Sequence, residues 1–431
     1  MTPGQMPSSS RARVSTHLVV MGVMMLLSIA FYWPALNNPF WHAEDFRFLE
    51  RAQDIAQDPQ LLLHQDVAER HHPVPLALFL AEYLVFGLQP LGYYVVNLLL
   101  HGLNAFLVYW LVAALLADRR IAILSGVLFV FGVGSYGKAV MFVGGAENLL
   151  ITGLYLLILN LYIRNDIWQQ GRIWTVRYIL VLLLFLAASY AKPTAFSLVL
   201  GLLAYKVFFR GERGRQRKVL EPNLVILVVG ALTFWAVREA TGVVDFRINM
   251  AGRTPWDFAV NFVANMMNYI IHMFFPIHVS QLVTTSNPVV RAIYDIAPVV
   301  RVFLGICLVS YGLFGFVFGN RTIRFFLAWT LISVLPYCAV RFPEDWLNIR
   351  YLYQVSIGFC FIMASGTVLS MDLLHRRRWR RFVPYIVPAA FVALSGYIGS
   401  HLDDKYESQG RAAESVEWMD TLQAREAREA R

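Results

Sequence analysis

Glu44 and Asp45 stand side by side in the stretch NPFWHAEDFRFLERA, among Phe40, Trp41, Phe46 and Phe48. The stretch follows directly on the apolar run LVVMGVMMLLSIAFYWPAL. A charge beside lipid is costly, so adjacent acids at the mouth of a membrane helix call for a reason. A carboxylate there is placed to act as general base on a hydroxyl. Loop 37–73 also carries Glu50, Asp54, Asp58, Asp66 and Glu69, but none of these has aromatic flanks next to the membrane, and they read as solvated loop acids. If the segment opens a helix, residues 45, 48 and 49 share a face and Glu44 is turned away by about 100°. A base held against an apolar wall has a raised pKa, which ranks Asp45 ahead of Glu44.

Cations are expected on the same side of the membrane. ERHHPVPL supplies Arg70, His71 and His72; SYAKPTAF places Lys192 at the turn of a helical hairpin; RFPEDWLNIRYLY supplies Arg341 and Arg350. Each alone reads as a helix-end residue whose charge reaches the interface. Together they form a phosphate site, which Arg and Lys make well. Glu44, Asp45, His71 and His72 are also possible ligands of a divalent metal, but no HxH or HExxH spacing supports one, and no cofactor is expected.

The elements that must position these groups are membrane helices. The chain has 431 residues, 58% of them hydrophobic and only 15% charged, with mean hydropathy +0.53. That exceeds the apolar share of soluble domains and recurs along the whole chain, so the expected class is an all-α polytopic membrane protein. The net charge of +9 sits in short loops between apolar runs, as the positive-inside rule expects, and does not read as a nucleic-acid footprint. Cys307, Cys338 and Cys360 all fall in apolar segments and form no disulfide or metal pattern. The first apolar run continues past a Ser28-Ile29-Ala30 cleavage-like site to Leu36, so it is expected to stay as a span.

Basic loops at 118–120, 164–177, 210–218, 320–324 and 375–381 fit about eleven spans. These lie near 16–36, 91–117, 120–137, 146–163, 175–191, 193–209, 221–239, 299–318, 323–340, 350–370 and 383–400. The N-terminus is then cytoplasmic and the C-terminus outside, in a plasma (bacterial inner) membrane. Two apolar stretches are left on the outer face. VPLALFLAEYLVFG, 74–87, is short for a span and carries Glu82. The stretch 256–275 has Asp257, Asn261, Asn265, Asn268 and His272 on one helical face and reads as an interfacial amphipathic helix. Residues 1–400 form the membrane domain, with outer loops 37–90 and 240–298, and 401–431 an exposed helical tail of mixed Glu and Arg. Asn97, His101 and Asn104 share a face within one span and read as interhelical hydrogen-bond formers.

These segments, in this order, resemble the GT-C glycosyltransferases, and among them the protein O-mannosyltransferases with their bacterial and TPR-containing relatives. HAEDFRFLE looks like the acidic motif of the first outer loop, and HHPVPLALFL like the Arg/Lys-Pro motif that follows it. LGYYVVNLLLHGLNAFLVYWLVAALL matches the second-span pattern, and NIRYLYQVSIGFCFIMA the late Arg-Tyr-Leu-Tyr segment. The ordered set covers residues 38 to 363. The chain departs from the pattern in having Glu-Asp for the usual Asp-Asp or Asp-Glu, His71-His72 before Pro, and Pro193 where Glu often follows Lys.

The resemblance implies a GT-C-like fold and transfer of a sugar from a polyprenyl-phosphate carrier to a protein or glycan hydroxyl at the outer face. A carboxylate of the first loop would be the base, and cations would hold the carrier phosphate. Two other readings are a transporter or flippase, and an O-antigen ligase or polymerase. The first is disfavoured because no Asp or Glu falls mid-span; the second would lean on Arg247, Arg253 and His272.

Overall fold

The computed structural model describes residues 8–62, 73–132, 137, 139–169, 172–209, 221–240, 254–274, 288–338, 349–374, 382–410 and 412–429. Among these residues the chain is helix and turn, with no strand. Arg70, His71, His72 and Arg341, as well as Arg247 and Arg253, lie outside the described residues.

The helices begin where sequence chemistry places a start. Helices α3 (Pro73–Phe86), α4 (Pro90–Leu115), α9 (Pro222–Ala240), α10 (Pro255–Phe274) and α11 (Pro288–Phe318) each open on a proline, whose missing N–H would have had no partner in the first turn. Gly87, at φ 54°, ends α3 in the left-handed conformation that only glycine takes without strain. The remaining helices are α1 (Ser8–Phe31), α2 (Ala43–Gln57), α5 (Arg119–Val130), α6 (Ala146–Gln169), α7 (Val176–Ala191), α8 (Ser197–Phe208), α12 (Arg321–Cys338), α13 (Leu352–Leu374), α14 (Val383–Gly410) and α15 (Ala413–Glu429).

Each of the eleven expected spans overlaps a helix of the described residues, the one at 120–137 only in part, since α5 ends at Val130. Four of the described segments are long and apolar enough to cross a membrane by themselves: Pro90–Leu115, Val143–Trp168, Leu352–Leu374 and Val383–Ser400. Other apolar helices, such as Val176–Ala191 and Thr194–Phe208, are shorter. Helix α4 is the centre of the bundle, packed against α1, α5 and α6, while α13 packs on α5 and α12.

Two expectations are corrected. The polar stripe of α10 does not face water along its whole length. Trp256, Val260 and Val263 are the exposed residues of its apolar side, while Asn265 donates to the Cys338 carbonyl at 3.0 Å and His272 is buried with Nδ1 3.0 Å from the Asn268 carbonyl. A polar side chain beside another helix gains more from a protein carbonyl than from the bilayer, so the stripe turns inward at Asn265, while Asp257 at its start is exposed. The C-terminal tail, in turn, is solvated on one face only. Leu422 and Ser415 of α15 are buried, and Trp418 stacks on Phe46 of α2 at 5.9 Å. Its Glu/Arg pattern supplies pairs across the contact: Arg425 reaches Asp54 at 2.6 Å and Glu50 at 3.4 Å, and Glu426 accepts from the Tyr83 hydroxyl at 2.9 Å.

Candidate active site

Helix α2 carries the acidic pair, and its first turn is over-determined. His42 is the N-cap: its Nδ1 accepts from the Glu44 N–H at 3.2 Å, and the Asp45 carboxylate reaches back to the His42 N–H at 3.2 Å. Two acids in the first turn also suit the positive end of the helix. The face opposite solvent buries Phe46, Phe48, Leu49, Ala52 and Ile55, with Phe48 stacked on Phe79 of α3 at 4.3 Å.

Asp45 is fully buried, and its two oxygens take three backbone N–H groups. Oδ2 accepts from Trp41 and His42, both at 3.2 Å; Oδ1 accepts from Gly144 at 2.9 Å. Burial pushes its carboxyl up to about 7, while the N–H bonds from Gly144, Trp41 and His42 pull the other way and the neighbouring Glu44 charge adds to the rise. The turn that delivers Gly144 depends on Gly145: a Cβ there would meet the Ala139 carbonyl oxygen at 2.1 Å. Asp45 therefore ties the first loop to the turn before α6.

Glu44 lies on a different side of the helix, as the 100° step requires. A third of its side chain is exposed, and it forms a two-point pair with Arg350, at 2.5 and 3.1 Å. Beside this pair Lys192, at the end of α7, lies 3.1 Å from Glu147 and 3.0 Å from Asn148 Oδ1, both in the first turn of α6. Tyr351 links the pairs: Lys192 lies 5.3 Å and Arg350 5.7 Å from its ring centre. Tyr351 itself stacks on Tyr337 at 4.3 Å.

The structure thus brings Glu44, Asp45, Lys192 and Arg350 into one region from α2, α7 and the start of α13. It also adds two groups that the sequence reading missed as site members, Glu147 and Asn148. The only signal for Glu147 was an acid at a span end; Asn148 offered none. Two buried donors in this cluster have no hydrogen-bond partner among the described residues: Arg350 Nε and Asn148 Nδ2. Among the described residues, no three His, Cys, Asp or Glu side chains gather at one point.

The polar face of α4 holds this region together. Asn97 Nδ2 donates to the Phe142 carbonyl at 2.9 Å, and Asn104 Nδ2 to the Leu149 carbonyl at 2.8 Å. These two bonds bracket the segment that carries Gly144, Glu147 and Asn148. Asn104 also donates to the Tyr353 hydroxyl at 3.0 Å, and His101 Nδ1 lies 2.8 Å from the same oxygen. Tyr353 follows Arg350 by three residues, so one side of one helix sets both halves of the site. Asn104→Leu should leave buried partners unsatisfied and cost about 1–3 kcal/mol. A thermal melt of the detergent-solubilised protein measures it, and an unchanged midpoint would remove Asn104 from this positioning role.

No protein-family model matches the chain. It is similar to the Drosophila melanogaster protein O-mannosyl-transferase Tmtc1, with 33% identity over 128 residues, 30% of this chain and 14% of that protein. It is similar also to the Mus musculus protein O-mannosyl-transferase TMTC3, with 21% identity over 406 residues, 83% of this chain and 43% of that protein. The chain therefore spans less than half the length of either relative. A solved structure, the archaeal oligosaccharyltransferase AglB from Archaeoglobus fulgidus in complex with an inhibitory peptide and a dolichol-phosphate, superposes with a TM-score of 0.49 at 12% identity, covering 92% of this chain and 56% of that one. The chain is thus similar in sequence, over most of its length, to the protein O-mannosyl-transferase TMTC3.

Proposed function

We propose that this chain is an integral-membrane glycosyltransferase that moves a sugar from a polyprenyl-phosphate carrier to an acceptor hydroxyl at the outer face of the membrane. The observation that carries the reading is the clustering of Glu44, Arg350, Lys192 and Glu147 with two orphaned buried donors, Arg350 Nε and Asn148 Nδ2. A phosphate diester offers acceptors to such donors and charge to such cations. The similarity to protein O-mannosyl-transferases supports the same chemistry.

The roles differ from the ranking by sequence. Asp45 has no exposed surface and three N–H donors on its oxygens, so we assign it to positioning. Glu44 is the partly exposed acid and the proposed base. In the proposed step the acceptor oxygen attacks the anomeric carbon and its proton passes to Glu44. The bond from that carbon to the phosphate oxygen breaks, and the electron pair leaves with the polyprenyl phosphate, whose charge Arg350 and Lys192 stabilise. Arg350 is paired with Glu44. A phosphate taking its place on the guanidinium would release the base as the donor arrives.

The test is transfer itself. Purified protein in nanodiscs is mixed with polyprenyl-phosphate-linked hexoses and a Ser/Thr-containing peptide or a glycan acceptor. The expected products are the glycosylated acceptor and polyprenyl phosphate, by mass. Absence of both across the donor and acceptor panel would overturn the reading. Arg350→Met and Lys192→Met should each weaken donor use by about 1.5–3 kcal/mol, tenfold or more in KM for the donor. Unchanged donor kinetics in both would take these cations out of the site.

A further inference from the structure

At the end of the bundle opposite Glu44, α1, α4 and the start of α5 enclose a cleft of about 410 Å³. Along α4, Asn97, which holds the turn beside Asp45, and Tyr109 of the cleft lie roughly 18 Å apart at 1.5 Å per residue. The cleft wall is apolar at Ala113 and Leu116, and its polar lining is Thr16, His17, Tyr109 and Arg119. No acid lines it. The Tyr109 hydroxyl and His17 Nδ1 are 3.1 Å apart.

The cations here lack the compensation that their neighbours have. Arg120 is bound by Asp118 at 2.9 Å and Asp372 at 2.8 Å. The buried Lys206 has Asp166 and Glu221, each at 2.6 Å. Arg119, one residue before Arg120, pairs with no carboxylate among the described residues, and neither does Arg164. Arg164 is only 7% exposed. Its guanidinium lies 3.7 Å from the centre of the Trp110 ring and bonds only to neutral oxygens, Asn160 Oδ1 at 2.6 Å, the Trp110 carbonyl at 2.9 Å and the Asn160 carbonyl at 3.4 Å. Its bond to the Trp110 carbonyl places this guanidinium beside Tyr109 of the cleft wall. A buried cation without a counter-charge is expensive, and the buried Lys206 avoids that cost by pairing.

We propose that this cleft binds a phosphate-bearing anion, held by Arg119 with His17, Tyr109 and Thr16 as further hydrogen-bonding groups and with Arg164 behind them as the uncompensated charge. An anionic lipid headgroup, with its chains along the apolar wall, and a soluble phosphate share this chemistry. The site is separate from the region of Glu44 and does not depend on the glycosyltransferase reading.

The test uses the full-length protein in two arms. In the first, it is purified from mixed phosphatidylglycerol and phosphatidylcholine micelles, and retained lipid is weighed by native mass spectrometry. In the second, inorganic phosphate is titrated against the delipidated protein and followed by thermal shift. Each arm is repeated with Arg119→Gln and with His17→Gln, both at accessible positions, after a melt has shown each variant folded. Retention of one phosphatidylglycerol, reduced about tenfold by Arg119→Gln, supports a lipid headgroup as the ligand. Saturable stabilisation by phosphate alone, lost in the same variant, supports a soluble phosphate. Anion binding that is absent in both arms, or equal in parent and variants, overturns the proposal.

Discussion

Glu44→Gln is expected to lower sugar transfer by about a hundredfold or more, because it keeps the shape of the side chain and removes the proton acceptor. The substitution also takes away the carboxylate from Arg350, a cation with only 12% of its side chain exposed, so part of any loss could come from an unpaired charge. Two controls separate the effects. Glu44→Asp keeps the charge and shortens the reach, and should retain more activity than Glu44→Gln. The double variant Glu44→Gln/Arg350→Gln removes the charge imbalance but also a phosphate-binding cation, and should turn over no faster than Glu44→Gln alone. A double variant with restored turnover would show that Glu44 only neutralises Arg350 and is not the base.

Asp45→Asn is expected to fail differently. Its oxygens receive N–H groups from Trp41, His42 and Gly144. An asparagine has one acceptor oxygen, so its NH2 must face a backbone donor whichever way it is turned. The lost hydrogen bond and the orphaned N–H should cost about 1–3 kcal/mol and loosen the first turn of α2 from the turn before α6. Activity should fall because Glu44 is no longer held, and the melting midpoint should fall with it. An inactive but fully stable Asp45→Asn would return the base role to Asp45. The pH dependence gives a second readout. The native carboxyl holds its proton up to about 7, against 3.8 for the ordinary group. Between those values the unfolded chain binds fewer protons than the native one, so stability from this group is greatest below pH 3.8 and declines as pH rises to about 7. Asp45→Asn should flatten that part of the stability profile; a slope equal to the parent's would mean that the group does not titrate there.

The sequence made the helical class and most helix positions legible, since long apolar runs and opening prolines are local signals. It also brought Glu44, Asp45, Lys192 and Arg350 forward as site candidates. What it did not disclose were relations across the chain. The face shared by Asp45, Phe48 and Leu49 was read correctly from helical spacing, but the turn at Gly144 that seals it comes from far along the chain, and no local pattern shows which face will be sealed. Local sequence shows the cations but not what they pair with. Their carboxylate partners, Glu44 for Arg350 and Glu147 for Lys192, come from other helices. The tail was read as solvated because mixed Glu and Arg at helical spacing look the same whether they meet water or the acids of α2. The polar stripe of α10 was likewise visible as a stripe, while the helix it would face was not.

The long reach of the Glu44–Arg350 pair has a consequence for how the protein is made. Its two members are separated by 306 residues. At about 5–20 residues per second, Arg350 leaves the ribosome roughly 15–60 s after Glu44. Throughout that interval α2 waits with its acid unpaired, and its Asp54 gains Arg425 only 371 residues after Asp54 itself is made. Nascent chains stalled before residue 350 should therefore present α2 to proteases that the finished protein resists.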